Sequence, residues 1–185
     1  KIRKVPPALP CAGVKGEAQK MKRVALYPGS FDPFTVGHLD IVQRLSPLYD
    51  EVVVAVLSNP KKTPYLPEEA RVRSIEESVK GLSNVRVLCS AGATVDVARQ
   101  VGARTMIRGL RSVTDFEYET TLAAGYHYMA PEIETLFLLA KPEHGYISSS
   151  LVREIHALGG DVSELVPAPV LSALAQKNPR KENEK

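Results

Sequence analysis

The amino-acid sequence predicts an α/β fold in which a doubly wound sheet of five parallel strands is covered by helices on both faces. Short apolar runs alternate with amphipathic segments from residue 23 onward, the order expected when each strand returns to the sheet through a helix. The run at residues 52–57 is continuously apolar and mostly valine, which is typical of a strand buried on both faces. A chain of 185 residues fits one domain with a sizeable core.

The strands are predicted from apolar runs bounded by turn residues. The first run leads into a segment rich in glycine and proline, and Asn59-Pro60 ends the second. Cys89 continues the third run, and we expect it to be a buried thiol. The five predicted strands cover residues 23–27, 52–57, 85–88, 105–107 and 133–139.

The helices are predicted from apolar spacing and from start signals. Within residues 37–48 the apolar side chains recur at the spacing of one helix face. Pro67-Glu68-Glu69 puts a proline in the first turn and two carboxylates near the positive end of the helix dipole, which predicts a helix start there. The remaining predicted helices lie near 94–101 and over 115–129, 149–158 and 169–175.

Three segments are predicted along the chain. Residues 1–20 have no apolar periodicity and lack the hydrophobic stretch of a signal peptide, so we expect a leader that is disordered or was added for expression. A basic arm for nucleic acid is the alternative. Residues 21–176 are predicted to form the folded domain, and residues 177–185 a charged tail.

Composition narrows the classes of function. The net charge is +3, but residues 1–20 carry +4, so residues 21–185 carry −1 and no nucleic-acid partner is expected. No apolar run reaches membrane-spanning length, so no membrane partner is expected either. Two cysteines without metal-ligand spacing favour a reduced, cytoplasmic setting, and no protein-held metal site is predicted.

The most informative segment follows the first strand: Tyr27-Pro28-Gly29-Ser30-Phe31-Asp32-Pro33-Phe34-Thr35-Val36-Gly37-His38. A strand that enters a helix through a tight loop puts backbone N–H groups and a positive helix end in one place, which suits a phosphate. His38, in the first helical turn, can donate a hydrogen bond to charge that builds up on that phosphate. The alternative is a helix residue that merely faces solvent. Neither a P-loop nor a G-x-G-x-x-G motif occurs.

Cationic and hydroxyl side chains follow the other strands as well. Ligands of open parallel sheets bind outside the carboxyl ends of the strands, and this chain places there Asn59-Pro60-Lys61-Lys62, Arg108-Gly109-Leu110-Arg111 and the serines 148–150. Taken singly, each has a structural alternative: a solvated lysine pair, surface ion pairs, or a helix cap. Their joint position on one rim favours a phosphate-binding site.

These segments, with Asp115-Phe116-Glu117-Tyr118-Glu119, together resemble the bacterial phosphopantetheine adenylyltransferases, members of the nucleotidyltransferase superfamily with its T/H-x-G-H signature. The resemblance runs from Met21 to about Gln176. It implies a Rossmann-like nucleotidyltransferase fold and the reaction of ATP with 4′-phosphopantetheine, with Mg²⁺, to give dephospho-coenzyme A and pyrophosphate. It also implies a homohexamer and feedback by coenzyme A.

The resemblance implies a role for each matching residue. His38, Lys62 and Arg111 would be the catalytic residues. Lys62 and Arg108 would hold the incoming phosphate, Ser30 would lie near it, and Thr94 would line the pantetheine arm. The residues implied to contact ATP are Ser30, Phe31, His38, Gly109, Leu110, Arg111, Glu119, His144, Gly145, Tyr146, Ile147, Ser148, Ser149 and Ser150.

The chain departs from the family pattern at two places, Ala91 to Thr94 and Gly125 to Tyr128. The first leaves the pantetheine contact at Thr94 open, and the second could reshape the substrate channel or a subunit contact. Two other functions stay open from the sequence. One is a different small-molecule nucleotidyltransferase, such as one that acts on nicotinamide mononucleotide. The other is a non-catalytic nucleotide-binding module.

Overall fold

The computed structural model describes residues 21–58 and 63–177. It contains five strands within those ranges: β1 Val24–Gly29, β2 Glu51–Leu57, β3 Val85–Ser90, β4 Thr105–Leu110 and β5 Glu134–Leu139. The α-helices in the same ranges are α1 Val36–Leu45, α2 Glu68–Val79, α3 Thr94–Val101, α4 Val113–Met129, α5 Ser149–Ala157 and α6 Ala168–Gln176. Short 3₁₀ helices span Ser46–Leu48 and Pro142–His144. The predicted leader 1–20, and the tail apart from Lys177, lie outside the described residues.

The predicted alternation of strands and helices is confirmed, with shifts at the element ends. β1 continues through Pro28 and Gly29, which the sequence places in a turn, and β4 continues to Leu110. The prediction for Cys89 is wrong, because this side chain is exposed. β3 is an edge strand, and an apolar run on an edge strand is not covered as a central strand is.

The sheet is parallel throughout, in the order β3-β2-β1-β4-β5. The chain moves outward from β1 to β3 and then crosses back to β4, so the strand order switches between β1 and β4. Those two strands pair only at Ala25–Thr105 and Leu26–Met106, whereas β4 and β5 pair along six positions. The carboxyl halves of β1 and β4 are therefore not paired with each other, and this is where such a sheet binds ligands.

The core lies on both faces of the sheet, as expected for a doubly wound fold. On one face α1, α2, α5 and α6 bury side chains such as Ile41, Ile75, Val152 and Val170. On the other face α3 buries Val95 and Ala98. α4 differs from these helices, because none of its 17 residues is buried. None of the helices in the described ranges is long and apolar enough to span a membrane.

Candidate active site

A cavity of about 290 Å³ opens at the switch point between β1 and β4. Its walls come from the end of β1 and the loop after it, the start of α1, the end of β4, α4, and the start of α5. The lining residues are Tyr27, Pro28, Gly29, Ser30, Phe31, Thr35, Gly37, His38, Ile41, Arg108, Gly109, Arg111, Asp115, Glu119, Ala140, His144, Ile147, Ser148, Ser149 and Ser150.

Two glycines allow side chains to approach the strand ends closely. A Cβ on Gly29 would lie 2.8 Å from Cζ of Phe31, and one on Gly109 would lie 2.6 Å from Cδ1 of Ile41. A larger residue would therefore displace the Phe31 ring at position 29 or the tip of the Ile41 side chain at position 109. Phe31 itself has a φ of +46°, a left-handed conformation that a bulky residue adopts only when its surroundings hold it there.

The loop after β1 is held by charged side chains from three directions. The Asp32 carboxylate accepts the backbone N–H groups of Tyr65 at 2.7 Å and Leu66 at 2.8 Å. The buried guanidinium of Arg71 donates to the carbonyls of Ser30 at 2.7 Å and Leu66 at 3.2 Å. Arg153 on α5 donates to the Asp32 carbonyl at 2.5 Å. These bonds fix Ser30 relative to α2 and α5.

His38 is the third residue of α1, and its ring is part of the helix cap. Nδ1 accepts the Thr35 N–H at 3.0 Å, and the Thr35 hydroxyl accepts the His38 N–H at 3.3 Å, a capping box. Since Nδ1 is an acceptor, the neutral ring carries its proton on Nε2. Nε2 has no partner among the described residues, so it is free to donate into the cavity.

The environment of His38 keeps the ring neutral. Burial, assisted by the nearby Arg111 charge, lowers its pKa to about 4. Phe31 and Phe34 pack on the ring with centroids 5.2 and 5.5 Å away. At pH 7 the side chain is therefore a neutral hydrogen-bond donor rather than a cation.

The serines at the start of α5 supply a helix terminus. Each hydroxyl already has a protein partner: Ser148 caps the Leu151 N–H at 3.0 Å, Ser149 donates to the Pro33 carbonyl at 2.8 Å, and Ser150 accepts from Arg153 at 3.0 Å. The helix-cap alternative is therefore correct for the Ser148 hydroxyl. The backbone N–H groups of Ser149 and Ser150 find no partner among the described residues, and they lie at the positive end of the helix.

The arginines of the cavity are paired with carboxylates of α4. Arg108 binds Glu119 through two bonds of 2.5 and 2.7 Å and donates to the Pro28 carbonyl at 3.1 Å. Burial opposes the charge of Arg108, but Glu119 outweighs it and raises the Arg108 pKa. Arg111 binds Asp115 at 3.0 Å and contacts the Ile147 carbonyl at 3.4 Å. The surface-ion-pair alternative fits Arg111 better than Arg108, which is largely buried.

Most of the predicted site residues lie together at this cavity. Leu110 is instead buried in the core, and Tyr146 is 65% exposed. Gly145 and Thr94 are not among the residues that line the cavity, and Thr94 is the first residue of α3, beyond the edge strand β3. Lys62 lies outside the described residues.

The sequence analysis assigned no role to several residues of the cavity wall. Tyr27 and Thr35 lie in the segment that it identified, but their side chains also fit a strand core and a helix cap. Ile41 fits the apolar face of a helix, and nothing in the sequence indicates that it also lines the cavity. Asp115 could have been found, because it lies four residues after Arg111 on a predicted helix. Asp32 and Arg71 do not line the cavity but hold the loop that does. Asp32 accepts from the Tyr65 N–H and Arg71 donates to the Ser30 carbonyl, and both bonds join segments that are distant in the sequence.

Comparisons with known proteins identify the class to which this chain belongs. The family model described as cytidylyltransferase-like matches residues 26–155. A crystal structure described as a candidate nicotinate-nucleotide adenylyltransferase from Vibrio parahaemolyticus superposes with a TM-score of 0.67, covering 88% of this chain and 97% of that chain at 19% identity. That likeness establishes the fold alone. Fold and site together define a nucleotidyltransferase of the cytidylyltransferase-like class.

Two curated relatives narrow the class further. The phosphopantetheine adenylyltransferase of Synechococcus sp. (strain JA-3-3Ab) is 51% identical over 156 residues, which cover 84% of this chain and 98% of the relative. That of Alkaliphilus metalliredigens (strain QYMF) is 47% identical over 156 residues, covering 84% of this chain and 99% of the relative. The chain belongs to the phosphopantetheine adenylyltransferase family.

Proposed function

We propose that this protein transfers the adenylyl group of ATP to 4′-phosphopantetheine, giving dephospho-coenzyme A and pyrophosphate, a step of coenzyme A biosynthesis. The observation that carries the proposal is the placement of His38 and two helix N-termini around one cavity at the β1–β4 switch point. Relatives that align with this chain over nearly their whole length are named phosphopantetheine adenylyltransferase.

The chemistry suits the groups that the cavity offers. A phosphate oxygen of 4′-phosphopantetheine attacks the α-phosphorus of ATP, the bond from that phosphorus to the oxygen shared with the β-phosphate breaks, and pyrophosphate leaves. The nucleophile is already an anion, so no side chain has to remove a proton. Positioning of the two substrates and stabilisation of charge in the transition state remain as the tasks of the protein.

The proposal assigns a group to each task. In this proposal the Nε2–H of His38 donates to an oxygen of the α-phosphate as negative charge builds on it. The free N–H groups at the start of α5 bind the leaving phosphates. Arg108 and Lys62 hold the acceptor phosphate near Ser30, and Arg111 binds the nucleotide. Because Arg108 and Arg111 are paired with carboxylates in this structure, phosphate binding exchanges one anionic partner for another.

Mg²⁺ belongs to the proposal as a companion of ATP. The two carboxylates of the cavity, Asp115 and Glu119, are both bound to arginines, and the described residues hold no group of three side chains suited to a metal. This arrangement fits an ion coordinated mainly by phosphate oxygens and water rather than by a protein cage. When bound, Mg²⁺ would neutralise charge on the phosphates.

We also propose that the chain assembles as a homohexamer, as the family resemblance implies. α4 and the edge strand β5 carry apolar side chains that nothing in the described chain covers, among them Val113, Tyr128 and Leu139, which are 76%, 89% and 69% exposed. Large apolar side chains exposed along one helix and an edge strand favour an interaction surface. Sedimentation equilibrium should give about six times the chain mass of 20.2 kDa, and a monomer would contradict this part of the proposal.

Two further parts of the proposal concern the setting of the reaction. Coenzyme A, which contains the product of this reaction, is proposed as a feedback ligand and should inhibit pyrophosphate release competitively with 4′-phosphopantetheine. Inhibition by coenzyme A that does not depend on the concentration of 4′-phosphopantetheine would argue against binding at this cavity.

A cytoplasmic location is proposed because ATP and the intermediates of coenzyme A synthesis are found there.

One assay separates the proposed function from the alternatives. The protein is incubated with ATP, Mg²⁺ and 4′-phosphopantetheine, and pyrophosphate is measured, with nicotinamide mononucleotide as acceptor in a parallel reaction. The proposal predicts release with 4′-phosphopantetheine only. Preference for the mononucleotide would indicate another nucleotidyltransferase, and no release with either acceptor would indicate a non-catalytic nucleotide-binding module.

A further inference from the structure

Tyr27 brings a hydroxyl group to the floor of the cavity. The residue is only 4% exposed, and its ring packs edge-on against Phe31 at 5.2 Å between centroids. It lies on β1 beyond the last residue pair that joins β1 to β4. Its hydroxyl oxygen lies 3.5 Å from where a Cβ on Gly109 would stand, at the end of β4. The tyrosine thus reaches across the opening between the two strands.

The hydroxyl has no hydrogen-bond partner among the described residues. It is not sealed inside the protein either, because every fully buried side-chain nitrogen or oxygen in the described part of the chain has a partner. Since the rest of the side chain is buried and Tyr27 lines the cavity, the accessible side of the oxygen faces the cavity. A polar atom in this position can form a hydrogen bond with a ligand in the cavity.

The surroundings select an anionic oxygen as the partner of this hydroxyl. Burial raises the pKa of Tyr27; the nearby Arg108 opposes the rise and Glu119, the partner of Arg108, adds to it. The phenol therefore stays protonated and can donate. Arg108, whose guanidinium donates to the carbonyl of the adjacent Pro28 at 3.1 Å, brings positive charge to the same end of β1. A protonated hydroxyl beside a guanidinium matches the oxygens of a phosphate.

We infer that the Tyr27 hydroxyl donates a hydrogen bond to the phosphate of 4′-phosphopantetheine, beside Arg108, and so helps to align the nucleophile. This inference rests on the proposed function and adds a residue to it. It also explains why a tyrosine occupies a position of β1 where phenylalanine would fill the same volume without leaving an unpaired polar atom in the protein.

The test is the substitution Tyr27→Phe, which removes one oxygen and little else. Loss of a hydrogen bond to a charged group corresponds to about a 10- to 100-fold change in an equilibrium constant. We expect kcat/KM for 4′-phosphopantetheine to fall by about that factor, and calorimetric titration to give a matching loss of affinity for 4′-phosphopantetheine. The affinity for ATP and the melting temperature should stay unchanged, because the hydroxyl binds no protein group.

The control is Tyr49→Phe, which removes the hydroxyl of a partly buried tyrosine that packs on the same core at the opposite end of the sheet. It should leave both affinities as in the wild type. The inference is overturned if Tyr27→Phe behaves like the control, if ATP weakens as much as 4′-phosphopantetheine, or if a lower melting temperature accompanies the loss. A wild type without adenylyl transfer would instead overturn the proposed function.

Discussion

The two walls of the cavity differ in how their polar groups are held. The segment 28–38 and the start of α5 form one side of the cavity, which we call the β1 wall. The other side, which we call the β4 wall, consists of Arg108, Arg111, Asp115 and Glu119. In the β1 wall the backbone is fixed by hydrogen bonds of three charged side chains, those of Asp32, Arg153 and the buried Arg71. In the β4 wall the side chains bind mainly each other, and α4, which carries Asp115 and Glu119, buries none of its residues.

The two walls would therefore bind phosphate in different ways. The β1 wall offers N–H donors and a neutral imidazole whose positions the fold fixes before any ligand arrives, which is how preorganised donors lower a barrier. In the β4 wall the arginines are bound to carboxylates. They can bind a phosphate only when the ligand replaces those carboxylates as their partner. We therefore expect β1-wall substitutions to affect turnover most, and β4-wall substitutions to affect stability in a ligand-dependent way.

The largest effect is expected for His38→Ala in the β1 wall. Loss of one donor to transition-state charge costs about 100- to 1,000-fold in turnover, or roughly 3–4 kcal/mol, with little change in ATP affinity. Stopped assays of pyrophosphate release with calorimetric titration of ATP measure both quantities.

His38→Gln serves as the matched control, because a glutamine can still accept the Thr35 N–H in the capping box. It should regain the melting temperature that His38→Ala loses, without regaining wild-type turnover. Wild-type turnover in His38→Ala, with a higher Michaelis constant for ATP, would remove the assigned role.

In the β4 wall, Glu119→Gln should destabilise the free protein by about 2 kcal/mol, since it leaves the largely buried Arg108 without its carboxylate. For a chain of this size that lowers the melting temperature by roughly 4–8 °C. Saturating 4′-phosphopantetheine should reduce the deficit, because a phosphate replaces the lost anion.

The control for this prediction is Glu132→Gln, which breaks an exposed pair with Arg99. A surface pair contributes about 0–1 kcal/mol, so this variant should melt near the wild type with or without ligand. If the two variants lost equal stability, the Arg108–Glu119 pair would not be the special feature of the β4 wall.

Asp32→Asn tests what holds the β1 wall. An asparagine offers one acceptor oxygen where the carboxylate serves two N–H groups, so we expect a loss of roughly 1–2 kcal/mol in stability. Because Ser30 and Phe31 would shift, kcat/KM should fall about tenfold. Asp161→Asn, at an exposed turn where the carboxylate accepts from Ser163, should change neither quantity. Wild-type kinetics in Asp32→Asn would show that the loop needs no such support.

The smallest effect concerns pH. The pKa of His38 is lowered to about 4 by burial and by Arg111, while in the unfolded chain it is about 6.5. Below pH 6.5 the unfolded state binds more protons, so stability falls as the pH is lowered towards 4. At pH 5.5 the loss should be about 1 kcal/mol. Urea unfolding of the wild type and of His38→Gln at pH 7.5 and 5.5 measures it, and an equal pH dependence in both proteins would contradict the assigned cause.

The sequence predicted the strands and helices well because local signals dominate there. β2 reads as a buried strand from its valines, and α1 begins where Thr35 and His38 form a cap. Cys89 was misjudged because the position of β3 at the sheet edge depends on strand order. The pairing of Arg108 with Glu119 and the exposure of the Tyr27 hydroxyl to the cavity depend on tertiary packing, which no spacing in the chain records.

The most direct test of the account follows the adenylyl group itself. ATP labelled with ³²P at the α-phosphate is supplied with Mg²⁺ and either 4′-phosphopantetheine or pantetheine, which lacks the attacking phosphate. The account predicts labelled dephospho-coenzyme A with 4′-phosphopantetheine, no labelled product with pantetheine, and a 100- to 1,000-fold slower transfer by His38→Ala. Labelled product formed equally fast by the variant, or formed from pantetheine, would contradict it.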